Sequence, residues 1–251
     1  METATFAGLF GAIFGSFLNV VVYRLPRRES LVRPASRCPH CQTAIRPYDN
    51  VPLLSWLLLR GRCRDCAAPI PWRYPLVEAL TALLCVVAVI AGGSTATVAL
   101  DVVFILLLVP IALIDLEHKI IPNSLTGLGA LLAIAIGTAL DPSGETTRLI
   151  AGAAAGGALL LVALAYPRGM GMGDVKLAAV MGLFLGSSVA PAMLIALLAG
   201  SVFGAVLASR SGARSARKTA VPFGPFLAFG SVAAIFAGDA LVDWYTTSFL
   251  H

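Results

Sequence analysis

Two aspartates in this chain lie where an apolar segment meets a polar turn. Asp115 closes the run IALI, and Asp174 lies between a glycine-rich turn and an apolar run in the sequence PRGMGMGDVKL, residues 167–177. An acid at the edge of a membrane segment costs free energy unless it is paired, solvated or neutral, so it is a functional candidate. Capping of a helix that begins at Val175 is the structural alternative for Asp174. Two carboxylates held together in a water-poor site form an acid/base pair.

A second set of reactive residues is a pair of CxxC motifs, which are separated by 21 residues and supply Cys38, Cys41, Cys63 and Cys66. Two such turns predict a structural zinc site with four thiolate ligands, although the separation is just beyond the usual range. Basic neighbours place this loop in the cytoplasm, where the alternative, disulfides, rarely persists. His40 lies inside one motif, but four cysteines already complete a site. Cys85 lies within an apolar segment and is predicted to pack as a small apolar residue.

The composition sets the class of protein that must position these residues. Hydrophobic residues make up 58% of the 251 residues and charged residues 12%, and the mean hydropathy is +0.88. These values exclude an ordinary soluble domain and predict an all-α polytopic membrane protein. We predict eight apolar segments: 3–23, 74–92, 95–114, 124–139, 147–166, 175–185, 189–208 and 223–241.

The basic residues predict an orientation in the membrane. Lys and Arg near membrane ends concentrate on the cytoplasmic side, and 17 of the 18 lie in alternate loops, leaving Arg148 on the other side. Eight spans then place both termini in the periplasm. The first segment is not expected to be a cleaved signal peptide, because nothing basic precedes it and an arginine-rich stretch follows it. A nucleic-acid-binding surface is the weaker interpretation of these charges, because they alternate with the spans.

The sixth apolar segment is too short to span a membrane unaided. From Asp174 to Leu185 it has 12 residues, or roughly 18 Å of helix against a core of about 30 Å. We therefore expect residues 169–173 to enter the membrane as irregular backbone, which would let Asp174 meet Asp115. Asn19, inside the first segment, is expected to bond a neighbouring helix.

Three further acids, Asp101, Asp239 and Asp243, lie near the outer ends of their segments and are expected to be solvated. The chain is predicted to divide into a first transmembrane helix (1–23), a cytoplasmic four-cysteine zinc domain (24–73) and a transmembrane core (74–251).

Five sequence features, in this order, resemble the type IV prepilin peptidases, bacterial members of the intramembrane aspartic proteases with a GxGD motif. They are GSFLNVVVYRLP (15–26), the CxxC pairs, RYPLVEALT (73–81), the Asp115 segment ending IPNSLT (121–126) and GMGDVKL (171–177). The resemblance implies that Asp115 and Asp174 are the catalytic pair and that the cysteine loop is the family's zinc domain. It implies cleavage of a basic leader from a prepilin or pseudopilin at the cytoplasmic face of the bacterial inner membrane.

Family members with the cysteine loop commonly also N-methylate the new amino terminus using S-adenosylmethionine, so the resemblance implies that activity too. Nothing in the sequence resembles a glycine-rich methyltransferase fold, and the site of that cofactor is left open. The competing hypothesis is an ion- or proton-coupled transporter that uses the paired acids as a relay. It predicts a repeat between the two halves of the chain, and neither acid motif has a second copy.

Overall fold

The computed structural model describes residues 2–167, 169–212 and 221–249. Within these ranges the chain forms nine α-helices and no strand; the backbone pairings outside helices are two isolated bridges, Arg37–Ala44 and Arg62–Pro69. The helices are α1 Glu2–Arg24, α2 Leu54–Leu58, α3 Arg73–Ala91, α4 Thr95–His118, α5 Asn123–Leu140, α6 Pro142–Ala165, α7 Met172–Leu185, α8 Val189–Ser211 and α9 Gly224–Phe249.

Seven stretches of the described chain are long and apolar enough to cross a membrane, and one of them, Met172–Arg210, has 39 residues. That is about twice the length that a single span needs. The 3-10 turn Gly186–Ser188 divides it into α7 and α8, and Gly186 ends α7 with a positive φ of 55°. The eight predicted segments therefore correspond to eight long helices, and the predicted all-α membrane fold is confirmed.

The chain forms two compact units, Met1–Gly92 and Gly93–His251. In the first unit α1 packs closely on α3, because Gly11 and Gly15 leave no room for a side chain against the α3 backbone. Asn19 donates from Nδ2 to the Tyr74 carbonyl at 3.2 Å, as expected for an amide that joins two helices. Cys85 is fully buried in the same interface region of α3. The predicted division into residues 1–23, 24–73 and 74–251 stays a prediction.

The second unit is built around α4, whose Phe104, Ile105 and Leu108 are almost completely buried. Phe104 stacks on Phe184 of α7 with ring centroids 4.6 Å apart. Small residues bring α6 and α7 together: a Cβ added to Gly182 would lie 2.4 Å from the Gly152 nitrogen. This backbone-to-backbone packing fixes the position of α7, the helix that begins at the GxGD sequence.

Contacts between helix ends give the second unit two distinct ends. At one end the amide of Gly224, at the start of α9, bonds to Asp115 near the end of α4. At the other end Ser188 donates to Asp239, in the second half of α9, at 2.5 Å. Asp101 lies at this second end, interacts electrostatically with Asp239 and is only 9% exposed. The expectation that Asp101 is solvated is therefore wrong, because packing of α4 within the unit covers it.

Candidate active site and metal centre

Asp115 lies in the last turn of α4 and is 5% exposed. Its Oδ2 accepts a hydrogen bond from the Gly224 backbone N–H at 2.8 Å. A backbone donor of this kind holds Oδ2 in place and leaves Oδ1 available to another partner. The first carboxylate is thus buried and held in one orientation.

Gly224 is a site residue that the sequence analysis did not single out. A Cβ at this position would lie 2.8 Å from Oδ2 of Asp115, so only glycine allows the amide to approach. The available signal is the sequence PFGPF, residues 222–226, in which a glycine directly precedes the helix-starting proline. Nothing in that pattern points to an acid 109 residues away.

Asp174 lies in the first turn of α7 rather than at its N-cap. The helix begins at Met172 with Gly171 as the N-cap residue, and Asp174 Oδ2 accepts the Gly171 N–H at 3.2 Å. The helix starts three residues before the predicted Val175, and Asp174 caps it from the first turn through this bond to the Gly171 N–H, as in a capping box. Asp174 is half-buried.

The GxGD turn passes directly against the loop that follows α4. A Cβ added to Gly173 would lie 2.9 Å from Cβ of Ile121. A second link joins the same two segments, since Lys176 Nζ donates to Asn123 Oδ1 at 2.9 Å. These contacts bring the start of α7 to the same end of the unit as the end of α4.

The carboxyl groups of Asp115 and Asp174 are close enough to interact electrostatically. Within residues 2–167, 169–212 and 221–249, neither of them forms an ion pair with a basic side chain. Two carboxylates that interact where water is scarce cannot both ionise cheaply. Chemically the pair can accept a proton at one oxygen and donate one from another.

The four predicted metal ligands come together in the first unit. The Sγ atoms of Cys38, Cys41, Cys63 and Cys66 all lie within 4.8 Å of one another, and those of Cys38 and Cys66 are 3.7 Å apart. Ligands of a tetrahedral zinc ion with Zn–S bonds of about 2.3 Å lie about 3.8 Å apart. The cysteines are free thiols rather than disulfides. The donor set and its spacing therefore fit one zinc ion.

The two CxxC turns have the same backbone conformation. In the first, the Gln42 amide bonds to the Cys38 carbonyl at 2.9 Å; in the second, the Ala67 amide bonds to the Cys63 carbonyl at 3.0 Å. Both residues that donate, Gln42 and Ala67, have a left-handed φ, of 58° and 57°. Residues other than glycine rarely adopt this backbone conformation. Its occurrence at equivalent positions indicates that the two turns have the same shape around a common centre.

Local hydrogen bonds favour the thiolate form of one ligand in each turn. The side chain and backbone of Thr43 lower the pKa of the Cys41 thiol to about 6. In the second turn, backbone hydrogen bonds from Cys66 and Asp65 lower the pKa of the Cys63 thiol. Zinc binds thiolates, so the lowered pKa values of Cys41 and Cys63 favour metal binding at these two ligands.

An ion pair stabilises the loop beside the second turn. The Arg64 guanidinium donates to both carboxylate oxygens of Asp49 at 2.6–3.0 Å. This pair holds the pKa of Asp49 below its usual range. It joins residues on both sides of the α2 helix and so supports the chain between the two CxxC turns.

Comparison with known proteins agrees with the fold and with the order of the motifs. The Bacterial Peptidase A24 N-terminal domain matches residues 9–91, and the Type IV leader peptidase family matches residues 102–209. These ranges lie within the first and second compact units, respectively. No solved structure matches the chain.

Curated relatives match almost the whole chain. The chain is 36% identical to a Legionella pneumophila protein (95% of this chain, 92% of the relative) and 38% identical to an Aeromonas hydrophila protein (96% and 93%). It is 35% identical to a Bacillus subtilis protein (94% and 95%). All three are named prepilin leader peptidase/N-methyltransferase.

The helices define a multi-pass membrane protein that carries a four-thiol cluster in its first unit. The chain belongs to the type IV leader peptidase family and is an enzyme of the peptidase class. The relatives' names support a role in prepilin processing. Family membership favours the peptidase interpretation over the transporter.

Proposed function

We propose that the chain is an aspartic endopeptidase that cleaves the basic leader peptide from a type IV prepilin or pseudopilin, with Asp115 and Asp174 as its catalytic pair. The observation that carries the proposal is the placement of both carboxyl groups at one end of the second unit, each held by a backbone amide. In the membrane this end is the cytoplasmic one, since Lys119 and Lys176 lie beside the two acids. Both chain termini are then periplasmic.

The reaction requires one ionised and one protonated carboxyl group. The ionised member takes a proton from a water molecule as the water oxygen bonds to the scissile carbonyl carbon. The protonated member gives its proton to the carbonyl oxygen, which forms a tetrahedral diol. Collapse of the diol breaks the C–N bond, and a proton from the pair goes to the leaving amine. The pair titrates as a unit, so either aspartate serves as the base in this scheme.

The zinc ion that fits the four thiols would be held by Cys38, Cys41, Cys63 and Cys66. A site with four protein ligands has no open coordination position, so the ion would stabilise the fold of the loop. We infer that the loop and the aspartates are separable, because the thiols belong to the first unit and both acids to the second. No step of the cleavage passes through the metal.

Methylation of the new amino terminus is the second proposed activity, and the names of the relatives support it. S-adenosylmethionine would supply the methyl group. No arrangement of the described residues identifies where it binds, and we derive no step through it.

The deciding experiment is cleavage of a purified prepilin by the full chain in lipid nanodiscs. Asp115→Asn and Asp174→Asn should each reduce kcat at least about 1,000-fold, since each removes one half of the proton transfer. Glu117→Gln, on the same helix as Asp115, is the matched control and should retain activity. Processing at the wild-type rate by either Asn variant would refute the proposed pair.

A second experiment separates the loop from the chemistry. Cys38→Ser with Cys41→Ser should lower zinc content from about one ion per chain, while cleavage at saturating prepilin continues. The rate of methylation should fall more than the rate of cleavage at saturating prepilin, or the prepilin concentration required for cleavage should rise. A fall in cleavage to the level of Asp115→Asn would contradict separability.

A further inference from the structure

A groove of about 570 Å³ opens in the first unit between α1 and the cysteine loop, residues 25–72. Its α1 wall contains Ile13, Phe17 and Val20, and its loop wall contains Val32. Val32 is 81% exposed and Ile13 is 61% exposed. Apolar side chains this open, side by side in one groove, favour contact with another apolar group.

The length of the groove matches one membrane leaflet. From Ile13 to Arg24 the α1 wall covers 12 residues, or about 17 Å of helix. Half of a hydrocarbon core of about 30 Å is about 15 Å. Since α1 is part of the candidate span Glu2–Arg27, the groove runs from the membrane surface at Arg24 to the middle of the bilayer near Ile13.

The surface end of the groove is strongly basic. Arg24 lines it, and its guanidinium donates to the carbonyls of Ser30 and Pro34 at 2.9 and 2.8 Å. These bonds hold the cation at the mouth and leave further N–H donors free. Residues 24–37 contain five arginines and one glutamate, so this end attracts anions.

We propose that this groove binds one anionic phospholipid, with an acyl chain along Ile13, Phe17 and Val20 and the phosphate at Arg24. An anionic headgroup above an apolar chain is the ligand whose charge and length match the groove. A basic leader peptide is disfavoured as the occupant, because it would meet the arginines at the mouth. The site lies in the first unit and does not depend on the proposed peptidase activity.

Native mass spectrometry of the full chain tests the proposal with phosphatidylglycerol and phosphatidylcholine as probes. Wild-type protein should retain about one phosphatidylglycerol, with at least about fivefold preference over phosphatidylcholine, the factor expected from one basic residue near an anionic headgroup. Ser16→Phe places a bulky ring in the groove and should reduce that retention at least about fivefold. Leu83→Phe is the matched control: Leu83 is 58% exposed on α3 and does not line the groove.

Thermal unfolding gives a second measurement that needs no variant. Phosphatidylglycerol should raise the unfolding temperature of wild-type protein more than the same concentration of phosphatidylcholine does. Equal retention of the two lipids, or retention by Ser16→Phe at the wild-type level, would overturn the proposal. Displacement of prebound phosphatidylglycerol by a basic leader peptide would also overturn it, because the groove would then be a peptide site.

Discussion

Gly224 donates its backbone N–H to Oδ2 of Asp115 at 2.8 Å, from a position where any side chain would collide with the same carboxylate. This hydrogen bond joins α4, the first helix of the second unit, to α9, the last helix described in that unit. If Asp115 is catalytic, Gly224 acts as a positioning residue for it.

Gly224→Ala should lower the rate of prepilin cleavage by about 100-fold, the scale expected when a catalytic group moves by about 1 Å. The loss should appear in kcat rather than KM, because the substrate contacts are not altered. Steady-state kinetics on purified protein measure both. Gly204→Ala is the control, since a Cβ at Gly204 meets nothing within 4 Å. A Gly224→Ala enzyme with wild-type kcat would show that the amide does not position the acid.

Gly182→Ala should destabilise the second unit. The added Cβ would lie within 2.5 Å of the α6 backbone at Ala151 and Gly152, and overpacking of this kind costs about 1–3 kcal/mol. The thermal unfolding temperature in detergent should fall. Gly157→Ala, in α6, adds a Cβ to open space and should leave that temperature unchanged or raise it slightly, because alanine loses less chain entropy than glycine. Equal unfolding temperatures for the two variants would contradict the close helix packing.

Ala67→Gly should strengthen zinc binding. Ala67 has a φ of 57°, a conformation that costs a side-chain-bearing residue roughly 1–2 kcal/mol, whereas glycine loses about 0.5–1 kcal/mol of chain entropy on folding. The difference between these two free-energy costs corresponds to about two- to fivefold tighter zinc binding in a chelator competition. Ala68→Gly, at a neighbour outside the left-handed region, should not tighten binding. Weaker binding by Ala67→Gly would refute the left-handed turn.

Asp49→Asn should make the cysteine loop less stable at neutral pH, and the difference from wild type should shrink in acid. Arg64 lowers the pKa of Asp49 in the folded loop, so the stabilisation is fully present above the unfolded value of about 3.9 and is lost as pH falls through the lowered folded value. Amide exchange of the loop between pH 3 and 7 measures it. A difference that grows in acid would contradict the ion pair.

The sequence predicted the elements of this structure better than their contacts. Eight long helices and the clustering of Cys38, Cys41, Cys63 and Cys66 follow from hydropathy and ligand spacing, which are local properties. Gly224 was missed because its role depends on a contact between helices 109 residues apart.

Two expectations failed for physical reasons that involve neighbouring backbone. Asp101 was expected to be solvated because it lies near a segment end, yet it is buried in the second unit and interacts with Asp239. The start of α7 is predicted three residues late, because the apolar run begins at Val175 whereas the helix already begins at Met172, within the glycine-rich turn. The irregular backbone before Asp174 is correspondingly shorter than predicted.

The bond between Asp115 and Gly224 also sets an order of events during synthesis. Asp115 leaves the ribosome 109 residues before its amide partner, which at about 5–20 residues per second is an interval of roughly 5–20 seconds. During that time the third long helix can already occupy the membrane while its acid has no donor to orient it. A nascent chain therefore lacks the amide that positions Asp115 until its final helix begins to insert, and only then can the site reach its full proposed rate.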